Sequence, residues 1–216
     1  MKRRFENSPI LPFLLSLFIV ALGQPARIGW LGAVAAALGF SLFFYNLPKE
    51  YKFLGGTIWF TAVQLIQLSW MTSIEFQGYY ILFVYSLVAL GMGAQFGLLT
   101  LVVPSEGTLP YKKILLCAAL WTLMEWSRLL ILCGFSWNPI GLALTYYIPS
   151  LQFSSVFGVL GLSFWAMFSN LLFLNVLRSK RLSADSVSVD FRVLLSRFLI
   201  QIRRVISNLR ILPPEF

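Results

Sequence analysis

The sequence has 216 residues, of which 58% are hydrophobic and only 12% are charged, and its mean hydropathy is +0.80. Because soluble domains usually carry about twice this fraction of charged residues, the composition excludes an ordinary soluble protein and predicts a membrane protein. The net charge is +9, but Lys and Arg lie in short clusters between apolar runs, so we expect membrane phospholipid as the partner and no nucleic acid.

Six apolar segments follow one another along the chain, and all but the first are near or above the ~20 residues that cross a bilayer as a helix. In lipid the backbone polar groups must be satisfied within the segment, which favours helices. We therefore predict an all-α fold, a polytopic helical membrane bundle with about six transmembrane helices. The segments are residues 10–22, 28–47, 53–71, 79–103, 114–133 and 151–177.

The first segment has two interpretations. The cluster Lys2-Arg3-Arg4 followed by a short apolar run is typical of a signal peptide, with Ala21-Leu22-Gly23 as an acceptable cleavage site. The same run also fits a short uncleaved span that ends at Gly23-Gln24-Pro25, and we favour that interpretation.

Basic residues alternate between the loops. One set of loops carries ten of them, and the other set carries only Arg27. The positive-inside rule places the basic loops in the cytoplasm, so both termini are predicted to be cytoplasmic. The ten residues are Lys2, Arg3, Arg4, Lys49, Lys52, Lys112, Lys113, Arg178, Lys180 and Arg181.

The last 38 or so residues differ from the apolar segments. Between Phe191 and Leu209, apolar residues recur at helical spacing, and arginines lie mostly on the other side. This pattern predicts a C-terminal basic amphipathic helix on the membrane surface, and a disordered basic tail is the alternative. We therefore divide the chain into a multi-span membrane domain, residues 1–178, and a cytoplasmic tail, residues 179–216.

Glu125 and Arg128 are three positions apart in the fifth apolar segment, on one helical face and close enough to pair. Charged residues are costly in lipid, so such a pair indicates either function in a polar cavity or a structural pair that locks two helices. The external loop that follows contains Gly134, Phe135, Trp137 and Asn138, where Gly and the next Pro favour a turn. An aromatic turn at the membrane surface without function is the alternative.

These two motifs carry a family resemblance. Glu125-Trp126-Ser127-Arg128, followed by Gly134-Phe135-Ser136-Trp137-Asn138, resembles the E-W-x-R and G-F-P-W-N signature of the apolipoprotein N-acyltransferases. The similarity continues at residues 141–143, 151–164 and, upstream, 68–74 and 21–25, so that it covers residues 10 to about 178. Ser136 departs from the family, which usually has Pro at this position.

The resemblance implies a multi-pass enzyme of the bacterial inner membrane that completes lipoprotein maturation. Such an enzyme transfers an acyl chain from a phospholipid to the α-amino group of a diacylglyceryl lipoprotein. Catalysis in the family belongs to a nitrilase-like domain with a Glu base, a Lys and a Cys nucleophile. The resemblance makes Glu125, Arg128 and the Gly134–Asn138 loop the candidate region for substrate or lipid.

No position of this sequence matches the three catalytic residues of the family. The chain has no histidine, and its cysteines, Cys117 and Cys133, lie in one apolar segment, where a thiol should stay protonated and inert. We therefore expect no catalytic residue, metal or cofactor, and a membrane portion that is truncated and silent unless a separately encoded catalytic domain joins it. The alternative function is a non-enzymatic protein that binds or transports lipid.

Overall fold

The computed structural model describes residues 10–131, 134, 136 and 138–183. Nine α-helical segments occur in this part of the chain, which contains no strand, and the last of them is interrupted by a kink at Gly158, where φ is 67°. In order they are α1 (Ile10–Leu22), α2 (Pro25–Ile28), α3 (Leu31–Val34), α4 (Phe40–Asn46), α5 (Lys52–Gln67), α6 (Ile74–Gln77), α7 (Tyr80–Val102), α8 (Tyr111–Ile131) and α9 (Ile148–Ser183). A π-helical turn, Ala35–Gly39, joins α3 to α4, and short 3-10 helices lie at Lys49–Tyr51, Ser69–Met71 and Ile140–Leu144.

The prediction of an all-α membrane bundle is confirmed. Three helices within the described ranges, α7, α8 and α9, are long and apolar enough to cross a membrane. The pair Leu31–Asn46 and Lys49–Gln67 meets the same test jointly but is bent by 111°, which raises the number to four if the pair counts as one broken span. Six apolar segments were predicted as spans; α1 is helical as expected, but its 13 residues are too few for it to be counted. The N-terminal basic cluster and the predicted amphipathic helix after residue 183 lie outside the described residues.

An aromatic cluster forms the centre of the bundle. Phe43 of α4 stacks on Trp59 of α5 with 4.4 Å between ring centroids, and Phe60 stacks on Phe96 of α7 at 4.9 Å. Trp121 of α8 meets Phe60 and Phe96 edge-on, at 5.4 and 5.6 Å. All five rings are at most 4% exposed. Helices α4, α5, α7 and α8 therefore share one buried apolar core.

Helices α5 and α7 pack closely because small residues face each other. A Cβ atom at Gly93 would lie 2.6 Å from the carbonyl oxygen of Thr57, and one at Gly97 would lie 2.8 Å from that of Phe53. These distances are shorter than real Cβ contacts, so only glycine permits the approach. Small residues at helix interfaces favour association in lipid, where apolar side chains gain little from leaving the solvent.

A single asparagine completes the π-helical turn. The Asn170 Oδ1 of α9 accepts hydrogen bonds from the backbone N–H groups of Phe40 and Ser41, at 3.0 and 3.1 Å. Its Nδ2 donates to the carbonyl oxygens of Ala35 and Ala36. A π turn leaves backbone groups without their usual helical partners, and in lipid depth such groups need another partner. Asn170 supplies it from the neighbouring helix.

One end of the bundle gathers most of the described cations, and we call it the basic end. Lys52 Nζ donates to the carbonyl oxygens of Leu101 and Val103, at 3.2 and 2.6 Å, where α7 ends. Arg178 of α9 donates to the carbonyl oxygens of Pro104 and Gly107 in the following loop. Cations near the carbonyl end of a helix oppose its dipole favourably. The basic end comprises Lys49, Lys52, Lys112, Lys113 and Arg178.

Candidate functional site

Glu125 points into the bundle from α8 and is 0% exposed. Its Oε1 accepts two hydrogen bonds, one from Trp121 Nε1 at 2.9 Å and one from the backbone N–H of Ile140 at 2.8 Å. The Ser163 hydroxyl of α9 interacts with the same carboxylate. Glu125 therefore joins its own helix to the first residue of the 3-10 helix that follows the external loop.

Arg128 is also 0% exposed and lies one turn further along α8. Its Nε donates to Gln95 Oε1 of α7 at 2.7 Å, and its guanidinium carbon lies 5.3 Å from the centre of the Trp121 ring. The arginine and Glu125 also interact electrostatically. Trp121 thus contacts both charged groups, with its N–H on the acid and its ring face on the cation, an arrangement that favours a buried cation.

The loop after α8 is fixed to three helices. Asn138 Nδ2 donates to the side-chain oxygens of Gln64 and Gln67 of α5, at 3.0 and 2.5 Å. Glu125 of α8 holds the N–H of Ile140, as described above, and Ser163 Oγ of α9 accepts from the N–H of Gly141 at 2.9 Å. Each of these hydrogen bonds is at least partly buried. Together they hold residues 138–141 in one position against α5, α8 and α9.

Three of the predicted site residues lie together in the structure, but their hydrogen-bond partners differ. Glu125, Arg128 and Asn138 belong to one polar layer, but each binds a different neighbouring element. Gly134 is exposed and has a φ of 79°, and Asn138 has a φ of 50°, which agrees with the predicted turn. Phe135 and Trp137 lie outside the described residues, as does Cys133.

Sequence reasoning missed four polar residues that complete this layer. Gln64, Gln67, Gln95 and Ser163 all lie inside apolar segments, and Gln67 is the last residue of α5. Gln64 and Ser163 are 0% exposed. Their position within apolar segments could have identified them, because an uncharged polar residue in a membrane-spanning helix needs a hydrogen-bond partner inside the protein. We call Gln64, Gln67, Gln95, Glu125, Arg128, Asn138 and Ser163 the polar layer.

The polar layer is suited to positioning and not to covalent chemistry. Glu125 Oε1, Arg128 Nε and the side-chain amides are hydrogen-bonded within the protein, and Cys117 lies buried one turn before Trp121 on the same helix. Within the described ranges, no three His, Cys, Asp or Glu side chains lie together as a metal site would require. A small cavity of about 10 Å³, partly open to the surface, lies beside the layer and is lined by Gln24, Gln67 and Ile140 among apolar side chains.

Comparisons with known proteins agree on one family. The sequence model described as the apolipoprotein N-acyltransferase N-terminal domain matches residues 11–172. The apolipoprotein N-acyltransferase of Chlamydia caviae is 31% identical over 185 residues, which is 79% of this chain and 34% of that protein. The protein of the same name from Chlamydia pneumoniae is 26% identical over 181 residues, 78% of this chain and 33% of that protein. The chain therefore spans about a third of the length of these curated relatives. No solved structure gives a significant match.

Proposed function

The chain belongs to the apolipoprotein N-acyltransferase family, and on this premise we propose that it supplies the membrane portion of a phospholipid-to-lipoprotein N-acyltransferase. The observation that carries the proposal is the loop end, residues 138–141, held by α5, α8 and α9 within the stretch that matches the family. The same loop bears the Gly-Phe-Ser-Trp-Asn motif. A loop fixed in this way gives a catalytic domain and a lipid substrate a constant reference position.

The proposed reaction has two steps. A cysteine thiolate of the catalytic domain attacks the ester carbonyl of a phospholipid, which forms a thioester and releases a lysophospholipid. In this first step the protonated Glu gives its proton to the departing lysophospholipid oxygen. The α-amino group of a diacylglyceryl lipoprotein then attacks the thioester, which forms the amide and releases the thiolate, while the amine proton passes to the Glu. No position among these 216 residues matches that nucleophile, its Glu base or its Lys, so we propose that they bind and orient lipid and leave the chemistry to a catalytic domain.

The proposed location is a bacterial inner membrane with both chain termini on the cytoplasmic side. Five described cations gather at the basic end, whereas Arg27 lies near the opposite end of α5, where its Nη2 donates to Ser69 Oγ at 2.5 Å. Lys and Arg concentrate on the cytoplasmic side of membrane proteins. The polar layer and its loop would then face the periplasm, where lipoprotein substrates are exposed.

The test is an acyl-transfer assay on the purified chain in lipid nanodiscs, with a phospholipid that carries a radiolabelled acyl chain and a diacylglyceryl peptide as acceptor. We expect no labelled peptide from the chain alone. Adding the remaining part of the Chlamydia caviae relative as a separate polypeptide should produce transfer, and the same polypeptide with its catalytic cysteine replaced by alanine is the control. Transfer by the chain alone would refute the division of labour, and equal transfer with and without the chain would refute its role.

A second candidate is a protein that binds or moves lipid without acyl transfer. Its basis is Arg128, a cation inside the bundle that would attract a headgroup phosphate once its contact with Gln95 opens. Under this hypothesis Arg128→Ala should weaken phospholipid binding by the purified chain at least tenfold, and no catalytic partner should restore transfer. Unchanged binding would count against this candidate and leave the acyltransferase proposal intact.

A further inference from the structure

Helix α8 presents one continuous face away from the bundle. Lys112 is exposed, and Leu116, Leu123 and Leu130 below it are 47%, 58% and 71% exposed. Their spacing of four and then seven residues puts these side chains on one helical face. With 1.5 Å per residue, the column from Lys112 to Leu123 is about 17 Å long, close to one leaflet of a hydrocarbon core of about 30 Å. Lys112 therefore lies at one end of a row of exposed apolar side chains that is about as long as a lipid acyl chain.

The first turn of α8 has the wrong charge for its own dipole. It contains Lys112 and Lys113 and no acidic residue. The N-terminal end of a helix is positive, so cations there are unfavourable and an anion is stabilising. No hydrogen bond or ion pair among the described residues engages either ammonium group. Within the part of the chain that the structure describes, this end of α8 has no negative charge bound to it that would stabilise it.

The charged residues nearby do not neutralise the positive charge of Lys112 and Lys113. Lys52 lies close enough to Lys113 and to Arg178 for mutual repulsion, and its own Nζ is already bound to backbone carbonyl oxygens. Glu106, the nearest acidic residue of the loop, forms its ion pair with Lys49 at 2.6 Å. Among the described residues, the local surplus of positive charge thus falls on Lys112 and Lys113, at the start of a helix that is long and apolar enough to cross a membrane.

We propose that the outward face of α8 binds an anionic phospholipid. Its phosphodiester group contacts Lys112 and Lys113, and an acyl chain lies along Leu116 and Leu123. Charge complementarity selects the anionic headgroup, and the apolar column selects a lipid over a free anion. This site lies at the basic end, away from the polar layer, and it does not depend on the proposed acyl transfer.

The experiment measures the thermal unfolding midpoint of the full chain in a non-ionic detergent while phosphatidylglycerol is titrated, with phosphatidylcholine as the zwitterionic comparison. Ligands that bind only the folded state raise the midpoint with concentration, which gives an apparent Kd. We expect Lys112→Gln to weaken phosphatidylglycerol binding about fivefold and Lys112→Gln with Lys113→Gln about thirtyfold, since each cation near an anionic surface contributes about this factor. Arg27→Gln, which removes one cation from the opposite end, is the matched control and should leave the apparent Kd unchanged.

Two further arms separate lipid from free anion. Inorganic phosphate at the same concentrations should not raise the midpoint, and Leu116→Asn should weaken phosphatidylglycerol binding although both lysines remain. Lys112 is exposed and Lys113 is half-buried, and neither ammonium group has a hydrogen-bond partner among the described residues, so the lipid-free midpoints of their variants should stay near that of the unmodified chain. An equal effect of phosphate would overturn the lipid assignment. An unchanged Kd in the double lysine variant, or an equal loss in the Arg27 variant, would overturn the site.

Discussion

Replacement of Glu125 tests whether the polar layer holds the bundle and its loop together. In Glu125→Ala, the N–H groups of Trp121 and Ile140 lose their common acceptor, and Arg128 loses the acidic group with which it interacts. All of this occurs at a position that is 0% exposed. Water cannot replace these contacts there, so the full cost of unpaired buried groups should appear in the free energy of unfolding.

The magnitude follows from the contacts. A hydrogen bond to a charged group contributes about 1.5–3 kcal/mol, and breaking a buried charged network by removing one partner costs about 3–5 kcal/mol. We therefore expect Glu125→Ala to lower the free energy of unfolding by about 4 kcal/mol, which corresponds to roughly 8–16 °C in the unfolding midpoint for a chain of this size. Glu125→Gln keeps an oxygen acceptor for both N–H groups and should cost only about 1–2 kcal/mol, the part that depends on charge.

The assay uses the buried thiol of Cys117 as a reporter. A Cys133→Ser background leaves Cys117 as the only cysteine, and it is 0% exposed in the folded chain. A thiol-reactive fluorescent maleimide then reports unfolding as the temperature rises. The double variant Glu125→Ala with Arg128→Ala should lose less stability than the sum of the single variants, because the two side chains interact.

Two results would refute this reasoning. One is a loss below about 1 kcal/mol in Glu125→Ala, since a single net hydrogen bond already contributes that much. The other is an equal loss in Glu125→Gln, which would show that the acceptor geometry at Oε1 is not what stabilises the loop.

Three other substitutions should separate the structural features. Gly93→Ala should lower the unfolding midpoint by several degrees because its Cβ would clash with Thr57, whereas Gly91→Ala, two positions away with nothing within 4 Å, should be neutral or slightly stabilising; equal midpoints would contradict the close packing. Asn170→Leu should cost about 3–5 kcal/mol by thermal unfolding because the π-turn backbone groups lose their partners, and a loss under about 1 kcal/mol would show that the turn repairs itself. Asn138→Gly keeps the positive φ but removes the amide, so limited chymotrypsin digestion should cut the loop faster with little change in the unfolding midpoint; an unchanged cutting rate would show that the amide does not hold the loop.

The helical segments could be predicted from the sequence because their cause is local. Each apolar run has to form its own backbone hydrogen bonds in lipid, and all six runs contain helix. The number of long helices could not be predicted as well. The run at residues 28–47 is divided among α2, α3, a π turn and α4, and Asn170, about 130 residues later in the chain, binds the backbone of the π turn. Hydropathy contains no information on such a distant partner.

In the candidate site too, the local arrangement could be predicted from the sequence and the long-range contacts could not. The three-residue spacing of Glu125 and Arg128 predicts that both lie on one helical face, and both do point inward. The sequence favoured a direct pair of these two residues. In the structure, the closest contacts of each side chain run elsewhere, to Ile140 for the acid and to Gln95 for the cation. Which neighbour a side chain reaches depends on the packing of α7 and of the loop, and spacing along one helix does not determine that packing.

The distribution of charge separates two tasks within one small bundle. In the polar layer, both charged side chains are buried and hydrogen-bonded through Glu125 Oε1 and Arg128 Nε, which adds rigidity at the end that carries the family motif. At the basic end, Lys112 is exposed and Lys113 is half-buried, so both are accessible to an anionic lipid headgroup. A buried charge that is hydrogen-bonded within the bundle is not available to bind a lipid headgroup. An accessible charge without such bonds does not hold a loop in position. Lys112 and Glu125 lie 13 residues apart on the same helix, about 20 Å, so α8 connects the proposed lipid site at the basic end to the residue that holds the loop.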